Sequence, residues 1–275
     1  MPSADDDPTD IHFDVTDGVA RIVIDRPARR NAITRANRDE MIAMLDECAE
    51  RVDVRVVVLT GTGDAFCTGA DLSAPIAQPH RPADAPDRIA GEVARGIRTN
   101  AQRLITSIMD CEKPIIAAVN GVAAGMGVHV ALACDLVVAA EEASFVEVFV
   151  RRGLVPDAAA SYLLPRLIGP QKAKELFFLG DSVSAVEAER IGLVNRVVPT
   201  AELDDAVAAW TDRLAVGPTR SIAMCKALVN RSFDMDRDSA LAAEAIAQDL
   251  NMTTTDANEG VQSFIERRKP TYRGW

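Results

Sequence analysis

Apolar and polar residues alternate from Val19 to Asp25 (VARIVID), the period of a half-buried strand, and Pro27 closes the run. Thr34 then stands where a helix cap is needed, ahead of Met41, Met44, Leu45 and Cys48 at helical spacing. Val54 to Thr60 (VRVVVLT) is almost wholly apolar and predicts a strand covered on both faces. It runs into the turn-rich GTGDAFCTGADL. Residues 73–87, which hold Pro75, Pro79, Pro82 and Pro86, show little periodicity and predict a mobile surface loop. A long helix is predicted over Arg88 to Met109, and a third buried strand over Pro114 to Asn120, ended by Gly121. A small-residue helix starts near Gly125 and leads to a strand at Cys134 to Ala139. From Asp157 the pattern is helical, with one short strand at Leu193 to Val198 and helices near 200–215, 218–231, 238–252 and 256–268. Strands alternating with helices, then a run of helices, predict an α/β core with a C-terminal helical region.

Composition narrows the function classes. The 275 residues carry a formal charge of −11 and show no basic stripe interleaved with aromatics, which argues against nucleic acid. No apolar stretch reaches the roughly 18 residues of a membrane span. The acidic MPSADDDPTD is unlike a signal peptide and reads as a disordered lead over residues 1–10. Five cysteines without a CxxC pair read as reduced thiols of a cytoplasmic protein. His12, His80 and His129 lie far apart, so neither a metal site nor a redox cofactor is expected.

Two glycine-rich turns carry the candidate chemistry. Gly69-Ala70-Asp71 follows a strand, and Asn120 to Gly127 (NGVAAGMG) runs from a strand into a helix. A helix start offers unpaired N–H groups at the positive end of the dipole, and small residues admit a ligand to the backbone. Two such N–H groups converging on one point would form an oxyanion hole for a thioester oxygen that gains charge. Either turn alone could equally serve only to reverse the chain.

Together with RPARRNAI at 26–33, GTGDAFCTGADL at 61–72, KPIIAAVNGVAAGMGV at 113–128, CDLVVAAEEASF at 134–145 and GLVPDAAASYLLPRLIG at 153–169, these turns resemble the crotonase (enoyl-CoA hydratase/isomerase) superfamily, from about residue 11 to residue 270. The resemblance implies a crotonase-like spiral of ββα repeats over 11–199 and a C-terminal helical trimerisation region over 200–275. It implies a homotrimer or a hexamer built as a dimer of trimers. The substrate would be an acyl-CoA thioester, with coenzyme A as part of the substrate and no separate cofactor. The oxyanion donors would be Ala70 and Met126. Coenzyme A would meet Arg29, Arg30 and Ala32, the backbone at Ala70, Asp71 and Leu72, and Phe264 and Arg267 from a neighbouring subunit's last helix. The arginines could equally be a solvated face.

The chain departs from the family at two positions. Where hydratases of the family carry two glutamates, it has His129 and Phe149, and Glu147 lies two residues from the second. Simple water addition is therefore disfavoured. Asp157, after Gly153 to Pro156, could cap a helix beginning at Ala158. By resemblance it matches the functional aspartate of family isomerases and of a dehalogenase. Gln102, standing where the dehalogenase has a histidine, argues against that last chemistry. His129, three residues beyond Met126, shares its helix face and could assist proton transfer or simply pack in the core. Phe145, Phe149 and Phe178 are candidates for an apolar acyl site. The expectation is enoyl-CoA isomerisation or hydration with Asp157 as general acid and base. The rivals are a hydrolase or C–C lyase on the same scaffold and a catalytically inactive protein that binds CoA ligands.

Overall fold

The computed structural model describes residues 10–73, 82, 84–87 and 89–275. Most of the expected N-terminal lead (1–9), much of the expected proline-rich loop (74–81 and 83) and Arg88 lie outside the described residues. Asp10, placed in the lead by the sequence, is instead tied to the core, its carboxylate 2.6 Å from the Arg26 guanidinium.

Two sheets run side by side. The strands are β1 (Ile11–Thr16), β2 (Val19–Ile24), β3 (Val56–Gly61), β4 (Ala65–Cys67), β5 (Ile115–Val119), β6 (Val122–Ala124), β7 (Leu136–Ala140), β8 (Ser144–Val146), β9 (Ser182–Ser184) and β10 (Arg196–Val198). The helices are α1 (Arg35–Glu50), α2 (Glu92–Thr99), α3 (Ala101–Asp110), α4 (Met126–Ala133), α5 (Ala160–Leu179), α6 (Ala185–Arg190), α7 (Leu203–Ala215), α8 (Thr219–Arg231), α9 (Arg237–Asn251) and α10 (Thr255–Glu266). The larger sheet has the order β1-β2-β3-β5-β7-β10 and the smaller β4-β6-β8-β9. Successive units therefore place one strand in each sheet and then a helix: β3-β4-α2/α3, β5-β6-α4, β7-β8-α5. That repeat is the expected ββα spiral.

The apolar strands are covered on both faces, as their composition requires. Val57, Leu59, Ile115, Ala117 and Val119 enter the main core, while Val56, Val58, Ile116 and Ala118 face a second cluster with Leu203, Ala206 and Val207 of α7. Thr34 caps α1 through a capping box with Asn37. Four cysteines are buried, and Cys225 alone is exposed among the five free thiols.

The structure corrects several expectations. The long helix is two, broken at Asn100 (φ −130°, ψ −87°), because only α3 turns Leu104, Ile105 and Ile108 into the core. Strands β1, β4, β6, β8 and β9 were not anticipated. Four of them have three residues each, too few to show a period. The helix after Asp157 begins at Ala160, not Ala158, and is kinked at Gly169 ahead of Pro170. Phe178 is 68% exposed and Phe145 is core, so neither lines an acyl cavity in the single chain.

Candidate functional site

The two glycine turns meet. Gly69 (φ +92°) sits so close to the second turn that a Cβ on it would lie 2.9 Å from the Ala124 carbonyl oxygen and 3.2 Å from the Met126 nitrogen. Ala70 follows in an isolated parallel bridge with Ile33, held by Ile33 N–H to Gly69 O (2.8 Å) and Asp71 N–H to Ile33 O (3.0 Å). Met126 opens α4, whose eight residues are all buried. Among the described residues neither the Ala70 nor the Met126 N–H donates to a protein acceptor. Two idle N–H groups thus stand on adjoining turns, one at the positive end of a helix dipole. The close approach depends on glycine at 127, since a Cβ there would lie 1.9 Å from the Cys67 carbonyl oxygen.

The segment 26–33 is braced from beneath. Asn31, fully buried, accepts from Arg26 N–H and donates to the carbonyls of Thr62 (2.8 Å) and Ala65 (2.6 Å). Arg26 reaches across to the Ala32 carbonyl and to Asp71 (3.1 Å). Burial alone would raise the Asp71 carboxyl, but hydrogen bonds from Ser73 and Arg26 outweigh it and hold Asp71 below its ordinary range. The Asp71 side chain is therefore committed to joining the two loops. Arg29, Arg30 and Leu72 are exposed beside it, and Ala32 is half-buried. Phe264, 84% exposed, and Arg267 lie at the end of α10. No hydrogen bond or ion pair among the described residues links either to these loops.

His129 projects from α4 and is wholly buried. Its Nε2 lies 3.0 Å and 3.2 Å from the two carboxylate oxygens of Glu147, itself 3% exposed. An ionised carboxylate only accepts, so against that form of Glu147 the Nε2 is the donor. Nδ1 is buried without a partner. On its flat side His129 stacks on Phe149, with centroids 5.6 Å apart and planes 6° from parallel. Phe149 also lies against Gly125, where a Cβ would approach its ring to 3.8 Å. The two positions at which the family resemblance marks glutamates are thus an imidazole and a phenyl ring stacked on each other. Glu147, which sequence reasoning set aside, belongs to this cluster.

Asp157 is not a cap. Residues Ala158 (φ +46°) and Ala159 (φ +65°) are both left-handed, Ala159 occupies the N-cap position, and no side chain caps α5. Alanine in that region costs about 1–2 kcal/mol per residue, so the turn is strained. Among the described residues no other residue donates a hydrogen bond to the half-buried Asp157 carboxyl, which is left to its own backbone N–H. Burial raises this carboxyl above its ordinary value, and the nearby His129 and Arg38 partly offset the rise.

The geometry has the family's hallmark of paired turns on a ββα spiral, and the comparisons agree. The enoyl-CoA hydratase/isomerase family model matches residues 14–274. The chain belongs to the enoyl-CoA hydratase/isomerase family. It is 35% identical over 264 residues to 1,2-epoxyphenylacetyl-CoA isomerase of Escherichia coli K12, covering 94% of this chain and 97% of that one. It is 34% identical to crotonyl-CoA hydratase of Syntrophomonas wolfei, over 93% and 95% of the two chains. Among solved structures, enoyl-CoA hydratase from Bacillus anthracis superposes with a TM-score of 0.86 at 32% identity, covering 97% of this chain and all of that one. Family membership supports an enzyme acting on acyl-CoA. Among the described residues, no helix of this family member is long and apolar enough to cross a membrane.

Proposed function

We propose that the chain is an enoyl-CoA isomerase, shifting a double bond along the acyl group by moving one proton. The Ala70 and Met126 N–H groups would hold the thioester oxygen as it gains charge. The Asp157 carboxylate would take a proton from one carbon of the acyl chain, giving a dienolate, and return it to another. The observation that carries this reading is the strained Ala158-Ala159 turn, which withholds Asp157 from capping α5 and leaves it half-buried with a raised affinity for its proton. A carboxyl so placed is better matched to proton exchange near neutrality than an ordinary aspartate.

Arg29 and Arg30, exposed beside the first turn, suit the phosphates of coenzyme A. No separate cofactor is proposed. The exposed apolar side chains of the last three helices (Val229, Leu241, Ile246, Leu250, Val261, Phe264 and Ile265) support docking of this region on further copies, as a trimer or a dimer of trimers. Phe264 and Arg267 would then reach a neighbour's site. A cytoplasmic location accords with the four buried free thiols.

One observation favours a second reading. The His129–Glu147 pair, with Nδ1 idle, has the form of a base oriented by a carboxylate, which would serve hydration or hydrolysis of the thioester. Mass spectrometry of trans-2- and trans-3-enoyl-CoA in heavy water separates the two. Isomerisation leaves the elemental formula unchanged with deuterium exchanged into the acyl chain. Gain of one water, or release of free coenzyme A, would transfer the chemistry to His129.

A further inference from the structure

The left-handed pair Ala158-Ala159 needs something to hold it, because Asp157 has an easier alternative. With both alanines right-handed, α5 would begin at Ala158 and Asp157 would cap it, the role that aspartate favours. A strained turn persists only where its surroundings over-determine it. Backbone bonds close this one from within: Ala160 N–H donates to the Asp157 carbonyl (3.0 Å), and the Tyr162 and Leu163 N–H groups both donate to the Ala159 carbonyl (2.9 Å each). On its near side the chain is fixed by Leu154 N–H to the carbonyl of Phe149 (3.0 Å), whose ring stacks on His129.

The far side is fixed by side chains. The Tyr162 hydroxyl donates to Asp234 Oδ2 (2.6 Å) and Arg166 Nη2 donates to Asp234 Oδ1 (2.8 Å). Arg166 also donates through Nη1 to the Tyr162 carbonyl (3.0 Å) and lays its guanidinium carbon 3.6 Å from the centre of the Tyr162 ring. The Tyr162 hydroxyl above all, helped by Arg166, holds the Asp234 carboxyl below its ordinary value. Asp234 ends the short turn Ser232–Asp234 between α8 and α9. That corner is anchored, because α8 is tied to the core. Lys226 Nζ lies 2.8 Å from Asp135 and donates to the Ile108 and Lys113 carbonyls (3.2 Å each), and Asn230 donates to the Met109 carbonyl (3.0 Å). One exposed ion pair contributes little. Here three groups close on one another and grip the first two turns of α5. Unwinding the left-handed turn would change the span between its two ends, so it is blocked while both are held.

We infer that Asp234 is a positioning residue: through Tyr162 and Arg166 it fixes the start of α5 and so keeps Asp157 off the helix cap, free to transfer a proton. The inference rests on the reading of Asp157 as the general acid and base. Without the Asp234 carboxylate, Ala158 and Ala159 relax into the helix and Asp157 accepts N–H groups of its first turn, which lowers its proton affinity. The charged side chains that act on the Asp157 carboxyl, His129 of α4 and Arg38 of α1, are untouched by this change.

The test is the pH profile of deuterium exchange into trans-3-hexenoyl-CoA for the full chain, Asp234→Ala, Asp234→Glu and Tyr162→Phe. In Asp234→Ala, kcat falls by on the order of 100-fold, the cost of a catalytic group misplaced by about 1 Å, while KM holds. The acid limb of its kcat profile moves to lower pH. Tyr162→Phe, which removes one of the two bonds and keeps the carboxylate, moves both in the same direction by less, and Asp234→Glu restores part of the native rate. Native kcat and limb in Asp234→Ala overturn the inference. So does a loss of rate that follows the melting temperature and leaves the limb in place, which is the mark of a purely structural contact. If the native chain exchanges no deuterium, the isomerase reading falls, and the methyl resonances of Ala158 and Ala159 decide this one. They shift in Asp234→Ala if Asp234 holds the turn, and unchanged resonances overturn it.

Discussion

His129 Nε2 lies 3.0 Å from Glu147 Oε1 in a place where neither residue meets solvent. The pair joins α4, which opens with one proposed oxyanion donor, to the segment just after β8. Breaking a buried pair by removing one partner strands the other in low dielectric, which costs about 3–5 kcal/mol. Glu147→Leu should lower unfolding free energy by about that much in urea denaturation, and adding His129→Leu should return a large part of it. A change under about 1 kcal/mol in the single variant would mean that the pair is not closed in solution.

Asp157→Asn should abolish deuterium incorporation from heavy water into enoyl-CoA while leaving thioester binding nearly intact. Turnover at the native rate in that variant would remove Asp157 from the mechanism.

The raised proton affinity of Asp157 also has a sign in stability. Burial holds its folded value above the ordinary 3.8, so the folded state binds the proton more tightly than the unfolded chain. The carboxyl therefore costs no stability below the unfolded value and becomes destabilising as pH rises through the folded one. Asp157→Asn should be more stable than the native chain at neutral pH, and the difference should vanish at pH below about 3.8. Thermal melts across that range check this, and a difference that grows on acidification would contradict it.

Ala159→Gly should relieve a left-handed alanine worth about 1–2 kcal/mol and raise the melting temperature. It should also lower turnover, because a looser turn no longer holds Asp157 away from α5. A more stable enzyme with undiminished turnover would show that the strained turn has no role in catalysis.

Gly69→Ala would press a Cβ to 2.9 Å from the Ala124 carbonyl and 3.2 Å from Met126 N, at a φ of +92° that alanine avoids. The two N–H donors would part. Loss of one such donor typically costs about 100-fold in kcat. Steady-state kinetics should show that loss as a fall in kcat, and native rates would exclude the paired turns as the oxyanion site.

The fold and the first half of the site were legible because their signals are local. An apolar run such as VRVVVLT can only be a covered strand, Thr34 reads as a cap from its neighbours, and the two glycine turns announce themselves by composition. The resemblance then assigned Ala70 and Met126. Glu147 escaped because its partner is 18 residues away, and only β8 leaving the sheet at Val146 turns its carboxylate onto α4. Asp157 was legible as a position but not as a conformation, because nothing in Asp-Ala-Ala-Ala indicates two left-handed alanines.

By itself, then, the sequence determined the succession of buried strands, the capped first helix and the two glycine turns, all of which follow from steric and periodic rules within a few residues. Tertiary structure alone decided the second sheet of three-residue strands, the closure of His129 on Glu147 and Phe149, and the freeing of Asp157 from the helix cap. Each of those depends on which surfaces the ββα spiral brings into contact, and that contact sets the dielectric and the hydrogen-bond partners that no local pattern encodes.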